Sequence, residues 1–299
     1  MTILLTGAGG QVGSALVPLL APLGTLVALD RSALDLADEQ ALQAALRQHR
    51  PHLVINAAAY TAVDQAETDT ATAFAVNARA PAVLAEVCHR QGAALIHYST
   101  DYVFSGSKPT PYLETDPTGP LGVYGRSKQA GEQALLESAA PSLIFRTSWV
   151  FSRHGHNFLN TMLRLGKERP QLGVVDDQWG APTWAGSLAQ ATVAIVQQAL
   201  AGASSGLSLL EFFQTHRGLY HMTNQGATTW FGFAQAIFQH CAHCQARLLP
   251  IPTRDYPTPV QRPANSRLDN QRLALVFGVR LESWPQALLH CMEAHPALP

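Results

Sequence analysis

Short apolar runs alternate along the chain with stretches whose apolar residues recur at helical spacing. Residues 2–6 (TILLT) form a run that ends in glycines, as a strand buried on both faces of a parallel sheet does. A helical pattern follows through Leu16, Leu19 and Leu20 and stops near Pro22 and Gly24. Leu26–Asp30 predicts a second strand ending on an acid, Asp38–Arg47 a capped helix, and Leu53–Asn56 a third strand. Residues 70–90 and 126–138 read as helices, Ala94–Ser99 and Ser142–Phe151 as strands.

This alternation predicts an α/β fold, a Rossmann-type doubly wound parallel sheet with helices on both faces. After about residue 152 proline and aromatic residues increase and the alternation loosens, which predicts a smaller C-terminal substrate-binding lobe. The expected division is 1–151 with about 181–225 as the dinucleotide-binding domain, and about 152–180 with 226–299 as the substrate lobe. A helix over 185–200 and a strand over 219–223 are expected to return to the first sheet. The segment 202–217 reads as a loop with one short helix.

Ligands of open parallel sheets sit beyond the carboxyl ends of the strands. Gly7, Asp30, Asn56, Ser99 and Arg146 fall at those ends. Glycines at 7, 10 and 13 let a strand turn tightly into a helix whose N-terminal amides face a pyrophosphate. The placement of the loop between strand and helix, with Asp30 ending the next strand, points to a dinucleotide. Asp30 suits unmodified ribose hydroxyls and so NADH, whereas Arg31 suits a 2′-phosphate and so NADPH. Asp35 and Leu36 are expected near the adenine, although a helix-entry acid accounts equally well for Asp35.

Tyr124 and Lys128 stand at i and i+4, on one face of a helix start. A nearby cation stabilises phenolate and brings a phenol towards proton exchange near neutrality. Lysines occur only at 108, 128 and 167, so the spacing is less easily chance, though a solvated pair is the plainer account of such spacing alone. Thr100, with Ser99 second, is placed at a strand end to polarise a carbonyl.

The 299 residues are 47% hydrophobic and 14% charged, with a formal net charge of −1. Nothing in that balance suggests a nucleic-acid or membrane partner. There is no apolar stretch of spanning length and no signal peptide, so a cytoplasmic location is expected. Cys88, Cys241, Cys244 and Cys291 read as reduced thiols, with Cys241 and Cys244 buried on a helix over 231–244. The neighbouring His240 and His243 lack the partners of a zinc site, and no metal is expected.

Together the glycine loop, Thr100, Tyr124 and Lys128 resemble the extended short-chain dehydrogenase/reductase superfamily. Further segments narrow the likeness: Asn56–Asp64, Arg146–Phe151, Asn157–Phe158, Asp177–Thr183, Thr229–Trp230 and Arg262–Leu268. From about residue 2 to 292 the chain resembles the dTDP-4-dehydrorhamnose reductase family. The resemblance implies reduction of a dTDP-sugar ketone by NADPH, with NADH as the alternative, Tyr124 as proton donor, and Lys128 and Thr100 as its helpers.

It also implies a coenzyme site of Gly7, Gly10, Gln11, Val12, Gly13, Asp30, Arg31, Asp35, Leu36, Ala57, Ala58, Tyr60, Asn77, Tyr124 and Lys128. The implied sugar site is Thr100, Asp101, Val103, Trp149, Asn157, Trp230, Asn265 and Arg267. For the two tryptophans core packing is a competing account, and for Arg267 surface charge is. Some relatives pair as homodimers through magnesium. Ser14, Ala15 and Gly186 stand here where acids would serve, so the metal is not carried over.

Two other readings stay open at this point. One is a nucleotide-sugar epimerase or dehydratase, which Tyr102 in place of a second acid after Asp101 disfavours. The other is a non-catalytic subunit similar to the methionine adenosyltransferase beta subunit, since fold alone does not prove activity.

Overall fold

A computed structural model describes residues 1–202 and 206–293. The first half runs β1 (Thr2–Thr6), α1 (Gln11–Leu20), β2 (Thr25–Leu29), α2 (Glu39–His49), β3 (Leu53–Asn56), α3 (Thr70–Phe74), α4 (Ala80–Gln91), β4 (Ala94–Thr100), α5 (Val123–Glu137) and β5 (Ser142–Thr147). The second half continues with β6 (Val150–Phe151), α6 (Phe158–Glu168), β7 (Gln171–Val175), β8 (Trp179–Gly180), β9 (Thr183–Trp184) and α7 (Ala185–Gly202). Then come α8 (Leu209–Thr215), β10 (Gly218–His221), β11 (Thr228–Thr229), α9 (Trp230–Gln239), β12 (Arg247–Ile251), α10 (Gln271–Phe277) and α11 (Trp284–Glu293).

Six strands form one sheet in the order β10-β5-β4-β3-β1-β2, with every neighbouring pair parallel. Side chains alternate between its faces. Ile3, Leu5, Ile55, Ile96 and Phe145 pack with Leu16, Leu20, Leu188 and Ile195 of α1 and α7. Leu4, Val54, Leu95 and Ile144 pack with Leu42, Leu46, Val83 and Leu84 of α2 and α4. A strand buried on both faces has no polar side to show, which is why these segments read as unbroken apolar runs. Each fully buried Leu or Ile contributes about 1.5–3 kcal/mol relative to exposure.

The strand order turns at β1. From there the chain goes to β2 on one side and then back across to β3 on the other, and such a switch point leaves a crevice outside the carboxyl ends. A third core brings Phe151, Leu159 and Met162 together with Phe233, Ile237 and Leu288, joining α6, α9 and α11.

Three sequence expectations are revised. The run expected as one strand over 142–151 breaks after Thr147: Trp149 has φ 46°, and β6 leaves the main sheet to pair with β9. An apolar run carries no mark of a left-handed residue inside it. The helix expected over 231–244 ends at Gln239, and Cys241 and Cys244 lie in the turn beyond, half-buried and joined as a disulfide rather than as buried thiols. Cys88 and Cys291 are free and buried.

In the segment 202–217, residues 203–205 lie outside the described residues. The remainder holds one short helix, α8, begun by a reciprocal cap between Ser208 and Glu211. It buries Phe212 and Phe213 in the first core, so its role is packing. Among the described residues no helix is long and apolar enough to cross a membrane.

Candidate active site

The crevice at the β1/β3 switch is a cleft of about 720 Å³. Its floor is the glycine loop. Gly7 has φ +71°, and a Cβ there would lie 2.6 Å from the Ala58 amide nitrogen. A Cβ on Gly13 would lie 2.0 Å from the Gly7 carbonyl oxygen. Side chains at either position would fill the cradle, and Gly10, just before α1, puts no side-chain cap on the helix amides. Bare helix N-terminal amides above a glycine floor fit a pyrophosphate.

Gly7, Gly10, Gln11, Val12, Asp30, Arg31, Asp35, Leu36, Ala57, Ala58, Tyr60, Tyr124 and Lys128 all line this cleft. Two expected coenzyme residues do not. Gly13 lies beneath the loop, where its lack of a side chain permits the close packing just described. Asn77 is buried and holds the wall from behind, accepting from Tyr60 N at 2.9 Å and donating to the Tyr60 carbonyl at 3.0 Å and to Ser127 Oγ at 3.0 Å.

At the adenosine end, Asp30 Oδ1 accepts from Ser32 N, Ser32 Oγ and Ala33 N at 2.9, 2.7 and 3.0 Å. The Ser32 hydroxyl first, and these amides with it, hold the Asp30 carboxyl below its usual range. Arg31 stands next to it in the same wall.

At the other end β4 and α5 meet. The Tyr124 phenol faces Thr100, and the Thr100 hydroxyl donates to Asp101 Oδ1 at 3.0 Å. Burial pushes the Tyr124 phenol up to about 12, with Thr100 opposing. The phenol is thus raised by its burial rather than lowered as the spacing predicts, and it stands as a protonated donor. Burial also pushes the Asp101 carboxyl up to about 7, opposed by Ser266 and Thr100.

Lys128 is 2% exposed. It donates to the Tyr98 carbonyl at 2.6 Å and lies 3.3 Å from His97 Nε2. Burial draws its ammonium down to about 8, with Glu132 opposing.

The residues expected to hold the sugar divide. Trp149 and Trp230 stack face to face, with Trp230 Nε1 donating to Gln178 Oε1 at 3.2 Å. Val103 is fully buried among Phe104, Tyr112 and Leu268. Asn157 caps α6 by accepting from Asn160 N at 3.0 Å, and its amide donates to Gln11 Oε1 and the Ser152 carbonyl, both at 2.8 Å.

Asn265 donates to the carbonyls of Lys108 and Thr110 at 2.6 and 2.8 Å and accepts from Arg267 Nε at 2.7 Å. Arg267 also donates to the Pro109 carbonyl and lies over the Trp179 ring. These two side chains stitch the 108–112 loop to its neighbour.

Cleft residues beyond the expected set include Tyr98, Thr147, Val150, His154, Gly155 and His156. Tyr98 and Thr147 stand near strand ends, a signal the sequence offers, whereas the 154–156 loop carries none. The hydroxyls of Ser99 and Thr147 are buried beside the cleft without a protein partner. Unpaired buried hydroxyls are uncommon, and here they face a space a ligand can fill. Among the described residues no group of three or more His, Cys, Asp or Glu gathers as a metal site.

Residues 1–296 match the family described as RmlD substrate binding domain. A dTDP-4-dehydrorhamnose reductase of Burkholderia thailandensis is 46% identical over 300 residues, covering 98% of each chain. The chain belongs to the dTDP-4-dehydrorhamnose reductase family. The reductase of Escherichia coli K12 is 43% identical over 95% of this chain and 94% of its own. Among solved structures, the reductase of Bacillus anthracis in complex with NADP superposes with a TM-score of 0.87 at 34% identity, covering 98% and 99% of the two chains. The Clostridium acetobutylicum reductase has a TM-score of 0.89 at 32% identity, with the same coverage.

Proposed function

We propose that this chain reduces the C4 ketone of dTDP-4-dehydro-6-deoxy-L-mannose to give dTDP-L-rhamnose, using NADPH, with NADH as the alternative coenzyme. The observation that carries this reading is the buried Tyr124–Thr100 pair at the end of a glycine-floored cleft, with Lys128 one helical turn further on. The family shared with the reductases supports it, as does the NADP held by the Bacillus anthracis protein.

Reduction adds a hydride to C4 and a proton to its oxygen, and the bound coenzyme supplies the hydride. Gly7, Gly10 and the first amides of α1 would hold its pyrophosphate. Asp30 and Arg31 would face the adenosine ribose, and Lys128 the nicotinamide ribose. Tyr124 gives its proton to the oxygen as negative charge develops there. Thr100 fixes the phenol and offers its hydroxyl to the same oxygen. The lysine ammonium favours the phenolate left behind.

The sugar nucleotide lies between this pair and the Trp149–Trp230 stack, in a lobe built on the third core from about 152–180 and 226–293. Asp101 shapes the carbonyl pocket. Asn157, Asn265 and Arg267 shape its rim through the loops they hold, and Val103 supports it from below. A cytoplasmic location, expected from the sequence, and a homodimer, carried over from some relatives, belong to this reading, and light scattering of the purified protein reads the second.

The test is oxidation of NADPH, with NADH in parallel, on enzymatically prepared dTDP-4-dehydro-L-rhamnose. Turnover with formation of dTDP-L-rhamnose is expected. Folded protein that binds coenzyme yet turns over with neither would overturn the reading in favour of another sugar or a non-catalytic subunit.

A further inference from the structure

Behind Lys128 a line of buried polar groups crosses the sheet. Thr6 Oγ1 donates to Asn56 Oδ1 at 2.7 Å, and the Ala58 backbone amide donates to the same oxygen at 3.3 Å. Asn56 Nδ2 lies 3.0 Å from His97 Nδ1, and His97 Nε2 lies 3.3 Å from Lys128 Nζ. Asn56 and His97 are 0% and 1% exposed.

The protons on this line follow from one fixed donor. A backbone N–H cannot accept, so the Asn56 oxygen must face Ala58 and the amide nitrogen must face His97. His97 Nδ1 therefore accepts, and a neutral imidazole in that position carries its proton on Nε2. That proton points at Lys128. An ammonium there meets another donor, whereas an amine meets a partner.

The other groups facing Lys128 leave this conflict in place. The Tyr98 carbonyl accepts one lysine proton at 2.6 Å. Glu132 on the same helix is held by Arg146 of β5 through two bonds, at 2.8 and 2.6 Å. Tyr124 on α5 contributes a neutral phenol. His97 is fully buried, and desolvation first, with the nearby Lys128 charge, holds its imidazole well below its usual range, so it stays neutral.

We propose that His97 is a positioning residue for the reaction: held by Asn56 as the Nε2–H tautomer, it sets a donor against Lys128 and makes the lysine proton easier to release. The step it serves rests on the reductase reading. After Tyr124 has protonated the sugar oxygen, a proton leaves Lys128 Nζ and restores the Tyr124 phenol; ammonium becomes amine and phenolate becomes phenol. Solvent then recharges the lysine.

The experiment needs no turnover. In 15N-histidine-labelled protein, assigned through His97→Asn, the His97 resonances are expected to show a protonated Nε2 and a bare Nδ1 from mildly acid to mildly alkaline pH. A protonated Nδ1, or an imidazolium, overturns the proposal. Asn56→Asp places an acceptor against Nδ1, so the proton is expected to move there and free Nε2 to accept from the ammonium.

With 13C-lysine, only three lysines contribute signals, and the Lys128 titration is expected to move up by about one pH unit in that variant. The alkaline limb of kcat moves with it. A tautomer that switches while the Lys128 titration stays put overturns the coupling. Failure of the reductase reading shows instead as absent turnover with the wild-type tautomer and titration in place.

Discussion

The indole rings of Trp149 and Trp230 lie with centroids 3.5 Å apart and planes within 9° of parallel. One comes from a left-handed residue after β5, the other from the first turn of α9, which Thr229 caps. Gly180 makes the contact possible, since a Cβ there would lie 2.3 Å from the Trp149 ring. Gly180→Ala is expected to push the rings apart and to cost about 1–3 kcal/mol. Stacked indoles give an exciton couplet in circular dichroism. That couplet is expected in the wild type and should vanish both in Trp230→Phe and in Gly180→Ala; its survival in the alanine variant would show that the stack yields without opening.

Tyr124→Phe removes the acid while keeping the ring against Tyr102. Turnover is expected to fall by about 10²–10⁴-fold. Coenzyme affinity, read by quenching of protein fluorescence, should stay within about twofold, because the pyrophosphate cradle is at the other end of the cleft. Wild-type kcat in this variant would remove the phenol from the chemistry.

Asp101 is a carboxyl that burial raises to about 7 from its ordinary value of 3.8. Between those values the folded chain holds a proton that the unfolded chain has lost. The penalty for ionising Asp101 is therefore absent at low pH and complete above about 7. Asp101→Asn removes it, so the variant is expected to gain roughly 2–4 kcal/mol over the wild type at alkaline pH. The gain should fade as pH falls through 7 towards 4. Urea unfolding at two pH values checks this, and a gain independent of pH would contradict it.

Arg146 and Glu132 form a fork-to-fork pair, with the side chains 4% and 3% exposed. Breaking such a pair leaves one charge buried alone, so Glu132→Gln is expected to destabilise the fold by about 3–5 kcal/mol. Denaturant titration reads the loss. A change below about 1 kcal/mol would mean that water reaches the arginine.

The parts of this molecule written in local sequence were readable there. Leu4 between Ile3 and Leu5, or Val54 between Leu53 and Ile55, shows a two-faced strand, and Gly7 before α1 shows the turn to a phosphate cradle. What could not be read depends on partners far apart in the chain. The Thr6–Asn56–His97–Lys128 line joins residues on three strands and a helix, and no spacing announces it. Asn157 and Asn265 have the look of free ligand-binding amides, yet their hydrogen bonds go to the protein itself. Trp149 sits in an apolar run that hides a left-handed residue, and its partner in the stack, Trp230, is eighty-one positions away in the chain.

Gln11 belongs to the wall of the coenzyme cleft, and its side-chain oxygen accepts from Ser152 Oγ at 3.0 Å and from Asn157 at 2.8 Å. The glycine loop and the cap of α6 thus share a single amide. A ligand against Gln11 would therefore bear on the start of α6 without any domain having to move. In kinetic terms this is an enzyme whose two ligands are expected to add in a fixed order, nucleotide coenzyme first, and whose Gln11→Ala variant loses that order: its product-inhibition patterns turn from sequential-ordered to random while each ligand still binds alone.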